Sequence, residues 1–167
     1  MKNSNKSTFV ETYNRILENL YNIKNSVEDT SREDLSIKME YAKKKLQEFE
    51  DITKEEIDIV TKYLHRDITA ATNHLNKTKN NIKEWIDKDI KLTEDKLLHL
   101  FVNVVDQSRV ELLELETLLH EWHSGEVTGI GVLECKNCGE KITFTETQII
   151  KNCSKCNGEI FHKYFDF

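Results

Sequence analysis

The stretch "CKNCGEKITFTETQIIKNCSKCNG", Cys135 to Gly158, decides how the rest of the 167-residue chain is read. Two Cys-x2-Cys pairs, Cys135/Cys138 and Cys153/Cys156, stand fourteen residues apart. That is the spacing of a four-cysteine metal site: each tight turn brings two sulfurs to one side, and tetrahedral Zn²⁺ accepts both pairs. Such knuckles need a residue tolerant of positive φ just after the second cysteine, which Gly139 supplies in the first and Asn157-Gly158 in the second. The runs "KITFT", "QIIK" and, further on, "EIFHKYF" are β-branched and aromatic, so a small sheet is predicted around the metal. Four thiolates close the coordination shell, which makes the metal structural rather than catalytic, one Zn²⁺ per chain. Iron is the rival ion, since it also takes thiolate ligands.

Upstream the chain changes character. Proline is absent, and all five glycines lie from Gly125 onward. Without backbone breakers, residues 1–124 read as a helical arm of about four helices, and residues 125–167 as the zinc ribbon. The expected fold is therefore mainly α: an N-terminal helical bundle or antiparallel coiled coil followed by a small β zinc ribbon. Removing zinc is then expected to unfold the ribbon and leave most of the helical signal.

Caps and periodicity place the helices. A first helix is predicted from Thr8 to about Asn25, with Phe9, Tyr13, Ile16, Leu20 and Ile23 on one face. Thr30 with Glu33 has the capping-box spacing and opens a second, whose stripe is Leu35, Met39, Ala42, Leu46 and Phe49. Thr53 with Glu56 opens a third, with Ile52 and Ile57 at the staple positions and a turn near Glu50 to Ile52. Its residues Leu64, Ile68, Ala71, Leu75, Thr78, Ile82 and Trp85 alternate four and three apart, as in a coiled-coil seam. The short turn predicts an antiparallel hairpin of the second and third helices. A fourth helix is predicted from a cap at Thr93, presenting Leu97, Phe101, Val104, Leu112, Leu115, Leu119 and Trp122. His65, His74 and His99 have no matching ligands three or four residues away and receive no role.

The net charge is -6, from 24 basic and 30 acidic side chains. From Gly125 onward five lysines face six carboxylates, so most of the acidity lies in the arm. A basic face for nucleic acid is not advertised, which leaves that partner unfavoured by charge. The opening "MKNSNKSTFVETYNRI" has no signal-peptide core, and "LLHLFVNVV" is too short and polar to span a bilayer. A cytoplasmic location with no membrane partner is expected, and in a reducing compartment paired cysteines are metal ligands before they are disulfides.

Between arm and ribbon stands "HEWHSGE". His120 and His123 are three apart, whereas the metalloprotease signature places its histidines four apart with the base between. His120, Trp122, His123, Gly125 and Glu126 are therefore read as structural junction residues, with Gly125 ending the last long helix.

From His123-Ser124-Gly125-Glu126-Val127, through Gly129, Gly131 and Leu133, into Cys135-x2-Cys138-Gly139, the chain resembles a bacterial family of small zinc-ribbon proteins of unknown function. Members similarly carry a helical region ahead of the ribbon. The sequence departs from the family pattern at Trp122, where tyrosine is usual, at Ser154, where proline is common, and at His162-Lys163, where more basic residues are expected. The resemblance implies the fold, zinc and a cytoplasmic location, and carries over no activity.

Three functions from different classes follow as expectations. The first is a non-enzymatic zinc-binding adaptor or regulator acting through contacts with a protein partner that the sequence does not identify. The alternative is a nucleic-acid-, transcription- or ribosome-associated factor using the ribbon, an analogy at the level of fold. The third is an enzyme with a second metal near His120 and His123. Self-association through the helices stays open, because a seam can be filled within a chain or between chains.

Overall fold

The computed structural model describes residues 2–26, 35–49, 51–78, 101, 104–105 and 121–165. Three helices come first: α1 (Lys2–Ser26), α2 (Leu35–Leu46) and α3 (Lys54–Thr78). α1 begins ahead of the expected Thr8, because its polar lead-in "KNSNKS" carries no periodicity from which a helix can be read. The start signal of α3 works as the sequence implies. The Glu56 N–H donates to Thr53 Oγ1 at 3.2 Å, and the Thr53 N–H donates to Glu56 Oε2 at 2.9 Å. Ile52 and Ile57 are both buried on either side of this box, the arrangement of a hydrophobic staple. Lys43 on α2 pairs with Asp58 on α3 at 2.8 Å, and α1 packs on both α2 and α3. The α2 stripe ends sooner than predicted, since the helix stops at Leu46 and Phe49 lies exposed in the turn, under the Arg15 guanidinium.

Six strands follow: β1 (Trp122–His123), β2 (Val127–Thr128), β3 (Gly131–Cys135), β4 (Lys141–Phe144), β5 (Gln148–Ile149) and β6 (Ile160–Tyr164). They form an antiparallel four-stranded sheet in the order β1-β6-β3-β4 and a two-stranded pair β2-β5. Register fixes which side chains share a face. Trp122 lies opposite Phe161, Phe161 opposite Cys135, and Leu133 opposite Ile142.

This architecture corrects the mainly α reading. Among the described residues the chain is not a helical bundle or antiparallel coiled coil with a ribbon appended; it is a mixed α/β structure whose helices and strands share a core. Tyr13, Ile16, Leu64 and Ile68 are buried in one cluster with Val127 and Ile130 from the strand region, together with Phe101, Val104 and Val105. α1 and α3 both pack on β2, and the His74 ring of α3 stacks on Phe165, just after β6, at 4.0 Å. The reason is physical. A four-three alternation records that one helix face is buried, but says nothing about whether a helix or a sheet lies across from it.

Trp122 and Gly125 need the same correction. Trp122 belongs to β1, not to a helix, and Gly125, at φ 92°, turns the chain between β1 and β2 instead of ending a helix. The capping pair Thr30/Glu33, the seam residues Ile82 and Trp85, and most of the fourth helix, from Thr93 through His120, lie outside the described residues. Among the described residues no helix is long and apolar enough to cross a membrane.

Candidate metal centre

The ligand-bearing turns form as their residues dictate. The first knuckle closes when the Gly139 N–H donates to the Cys135 carbonyl at 2.9 Å, with Gly139 in the left-handed region at φ 72°. The second closes when the Asn157 N–H donates to the Cys153 carbonyl at 2.8 Å. Here Asn157 takes the left-handed position, at φ 60°, and Gly158 has a different duty. A Cβ on Gly158 would sit 3.1 Å from Cys135 Sγ and 3.2 Å from Cys156 Sγ, so glycine lets the chain pass the sulfurs without crowding them. Adding that methyl as Gly158→Ala is expected to weaken zinc retention about tenfold, read by competition with a chromogenic chelator. An affinity equal to that of the unmodified chain would show the crowding to be harmless.

All four sequence-predicted ligands converge. Their sulfurs lie within 4.8 Å of one another, and the Cys135–Cys156 and Cys138–Cys153 Sγ pairs are each 3.6 Å apart. That is too far for a disulfide, and all four are free thiols. It fits a tetrahedral ion: metal–sulfur bonds of about 2.3 Å place neighbouring sulfurs about 3.8 Å apart. Backbone donors face the sulfurs as well, the Gly158 N–H reaching Cys156 Sγ at 3.4 Å. Asn137, the Gly158 N–H and the neighbouring thiols hold Cys156 down to about 6. The Glu140 backbone pulls Cys138 down too, but desolvation and its three sulfur neighbours outweigh that and push it up to about 12. Four sulfurs this close cannot all ionise by themselves; a divalent cation supplies the charge that lets them.

Around the ligands, Cys135 and Cys153 are buried with Trp122, Leu133, Phe144, Ile150 and Phe161. Trp122 leads out of this cluster. Its indole N–H donates to Asp67 Oδ1 at 2.8 Å, across 55 residues of sequence. Asp67, on α3, is 0% exposed. It also accepts from Tyr13 Oη at 2.8 Å, Thr128 Oγ1 at 3.1 Å and the Gly129 N–H at 2.8 Å. Burial alone would raise the Asp67 pKa, but the Arg66 and Lys163 charges and these hydrogen bonds hold it below its ordinary value. Tyr13 is pushed well above the usual phenol range by burial and by the Asp67 carboxylate. Burial brings Lys163 down to about 8, with its Nζ donating to the Ile130 carbonyl at 3.2 Å.

Arg66, beside Asp67, is buried as well. It donates to the Glu126 carboxylate and to the Glu121 and Val127 carbonyls, and its guanidinium lies 4.6 Å from the Trp122 ring centroid. Gly129 is glycine for want of space, since a Cβ there would sit 2.5 Å from Tyr13 Oη.

The junction residues thus separate. Trp122 and Glu126 anchor the ribbon on α3. Glu126 also accepts the His123 N–H at 3.1 Å, closing the "HSGE" turn. His123 is half exposed, 3.7 Å from Glu121 and 3.5 Å from Glu126. His120 lies outside the described residues. Among those residues, the four cysteines are the group of three or more potential ligands that converges.

Asp67 and Arg66 are the important residues absent from the sequence reading, and Tyr13, read there only as part of an apolar face, joins them through its hydroxyl. A signal existed: Ile57, Val60, Leu64, Asp67, Ala71 and His74 alternate three and four apart and are all buried. A carboxylate on an otherwise apolar helical face demands a partner.

A family model described as a zinc-ribbon containing domain matches residues 23–164. The uncharacterized protein YbeL of Escherichia coli strain K12 is 24% identical over 134 residues, covering 78% of this chain and 82% of its own. The YbeL protein of Escherichia coli O157:H7 matches to the same extent. No solved structure matches the chain.

Proposed function

Because the chain belongs to the family of zinc-ribbon containing domains, we propose that it is a non-enzymatic zinc-binding adaptor that acts through contacts with a protein partner. The four-thiol donor set supports zinc, and a shell closed by protein ligands leaves no position for a substrate or a reactive water. Bound zinc supplies a cross-link between the two knuckles. The ribbon's own residues then hold α1 and α3 in place.

The observation that carries the adaptor reading is the outer surface of α2 and its turn. Ile37 and Tyr41, one helical turn apart, are 58% and 50% exposed. Exposed Lys44 and Lys45 border them, with the Lys45 ammonium over the Tyr41 ring at 5.1 Å. An apolar strip rimmed by charge is a protein-contact feature. A reducing compartment such as the cytoplasm suits four free thiols.

The test is affinity purification from the native cell with the tagged chain, beside an Ile37→Glu/Tyr41→Glu variant. We expect a protein enriched with the unmodified chain and lost with the variant, while zinc content and circular dichroism stay unchanged. Equal capture by both, or no enrichment under several growth conditions, would remove the adaptor reading.

A further inference from the structure

Each metal knuckle is tied to one of two adjacent residues on α3. The first route runs across the sheet. Cys135 lies opposite Phe161, Phe161 lies opposite Trp122, and Trp122 donates to Asp67. The second route starts at Ile150, three residues before Cys153 and buried in the same cluster. Ile150 exchanges two hydrogen bonds with the turn after β1: its carbonyl accepts the Gly125 N–H at 2.8 Å, and its N–H donates to the Glu126 carbonyl at 2.8 Å. Glu126 then takes Arg66 through its carboxylate.

We propose that Arg66 and Asp67 form a metal-dependent latch, through which metal at the four cysteines holds residues 121–130 closed over α1 and α3, and metal loss opens that face. The inference rests on the cysteines holding a metal and goes beyond the adaptor reading. Three of the donors to Asp67 (Trp122, Thr128 and Gly129) come from the ribbon side, and Tyr13 and Arg66 come from the helices. If the ribbon loses its order, Asp67 loses three of its donors and Arg66 loses the Glu126 carboxylate and two carbonyls at once, leaving the pair only each other and Tyr13. Charges stripped of most of their partners and of their cover open to water, and Tyr13 opens with them. The latch is therefore closed or open, with little between. Linkage makes it reciprocal: by the factor that bound metal favours the closed latch, the closed latch favours bound metal. The opened face presents a phenol, a carboxylate and a guanidinium that are otherwise hidden, so the chain converts metal loss into a newly exposed surface.

The test uses the zinc-loaded full-length chain and two measurements. In competition with a chromogenic chelator, Asp67→Asn, at a residue with no bond to the sulfurs, is expected to hold zinc about tenfold more weakly. Leu46→Ala, a core cavity on α2, is expected to lower the melting temperature and leave zinc affinity unchanged. In hydrogen–deuterium exchange, chelation of the unmodified chain is expected to speed exchange around Tyr13 and Arg66 about tenfold or more. The latch is overturned if Asp67→Asn holds zinc like the unmodified chain, if Leu46→Ala weakens zinc equally, or if exchange at Tyr13 and Arg66 ignores chelation. Should Asp67→Asn fail to fold, Thr128→Val decides: it keeps the shape of a buried side chain and removes its hydroxyl donor to Asp67, and an unchanged zinc affinity would overturn the latch. A chain that takes up no zinc overturns the metal reading as well, whereas zinc uptake with unaltered exchange overturns the latch alone.

Discussion

Replacing Cys135 with serine is expected to abolish zinc retention and unfold residues 121–165. A structural zinc in modules of this size contributes on the order of 10–16 kcal/mol of apparent binding energy to folding. Here the apolar residues around Cys135 and Cys153 (Trp122, Leu133, Phe144, Ile150 and Phe161) are too few to hold six short strands unaided. Loss of metal content together with loss of the near-ultraviolet signal of Trp122 would be the result. Retention of both would contradict it. The sequence suggests that the helices would survive this loss largely intact. The shared core argues otherwise, since Val127 and Ile130 fill space against the helices and the ribbon supplies most of the donors to Asp67. Part of the helical signal at 222 nm is therefore expected to go with the ribbon.

Asp67→Ala is expected to be the most damaging substitution outside the metal site, at about 3–5 kcal/mol. The cost comes from what remains. Arg66 keeps its charge in a buried site, and Tyr13 Oη, Trp122 Nε1 and the Gly129 N–H lose a common acceptor. Urea denaturation of the zinc-loaded chain measures it, and a loss below about 1 kcal/mol, typical of an ordinary single hydrogen bond, would show the network to be dispensable. The same carboxylate sets an acid limit. Its folded pKa lies below the unfolded value of about 3.9, because Arg66, Lys163 and its hydrogen bonds outweigh burial. Its contribution is accordingly complete above the unfolded pKa and is lost as pH falls through the folded one. Asp67→Ala should show a smaller loss of stability on acidification over that interval than the unmodified chain.

The parts of the fold that could be read in the sequence are those specified locally. Cys135, Cys138, Cys153 and Cys156 declare a shared ion by their spacing, and Thr53 with Glu56 marks the start of α3 to the residue. Gly139 takes the conformation its place in the knuckle demands. What stayed hidden depends on partners far along the chain. Trp122 extends an apolar stripe at helical spacing, and only its pairing with Phe161 makes it a strand residue. Gly129 and Gly158 look like turn glycines, yet each makes room, one for Tyr13 and the other for two sulfurs. Asp67 stands in the sequence as a carboxylate on a buried helical face, but which donors meet it, those from residues 122 to 129, is set by the fold. Periodicity identifies a buried face; the identity of what covers it is a property of the whole fold.

The strand order β1-β6-β3-β4 has a consequence in time. β6 is the last of these strands in chain order, yet it occupies an interior place between β1 and β3, so β1 has no neighbour in the sheet until β6 has been made. The helices meet the same delay, because Asp67 precedes Trp122 by 55 residues. At synthesis rates of about 5–20 residues per second, that gap alone lasts roughly 3–11 s. During that interval a nascent chain carries α3 with only Tyr13 and Arg66 to partner its central carboxylate. The chain thus completes its parts in order: the donors that cover Asp67 by Gly129, the metal ligands by Cys156, and the sheet only with β6.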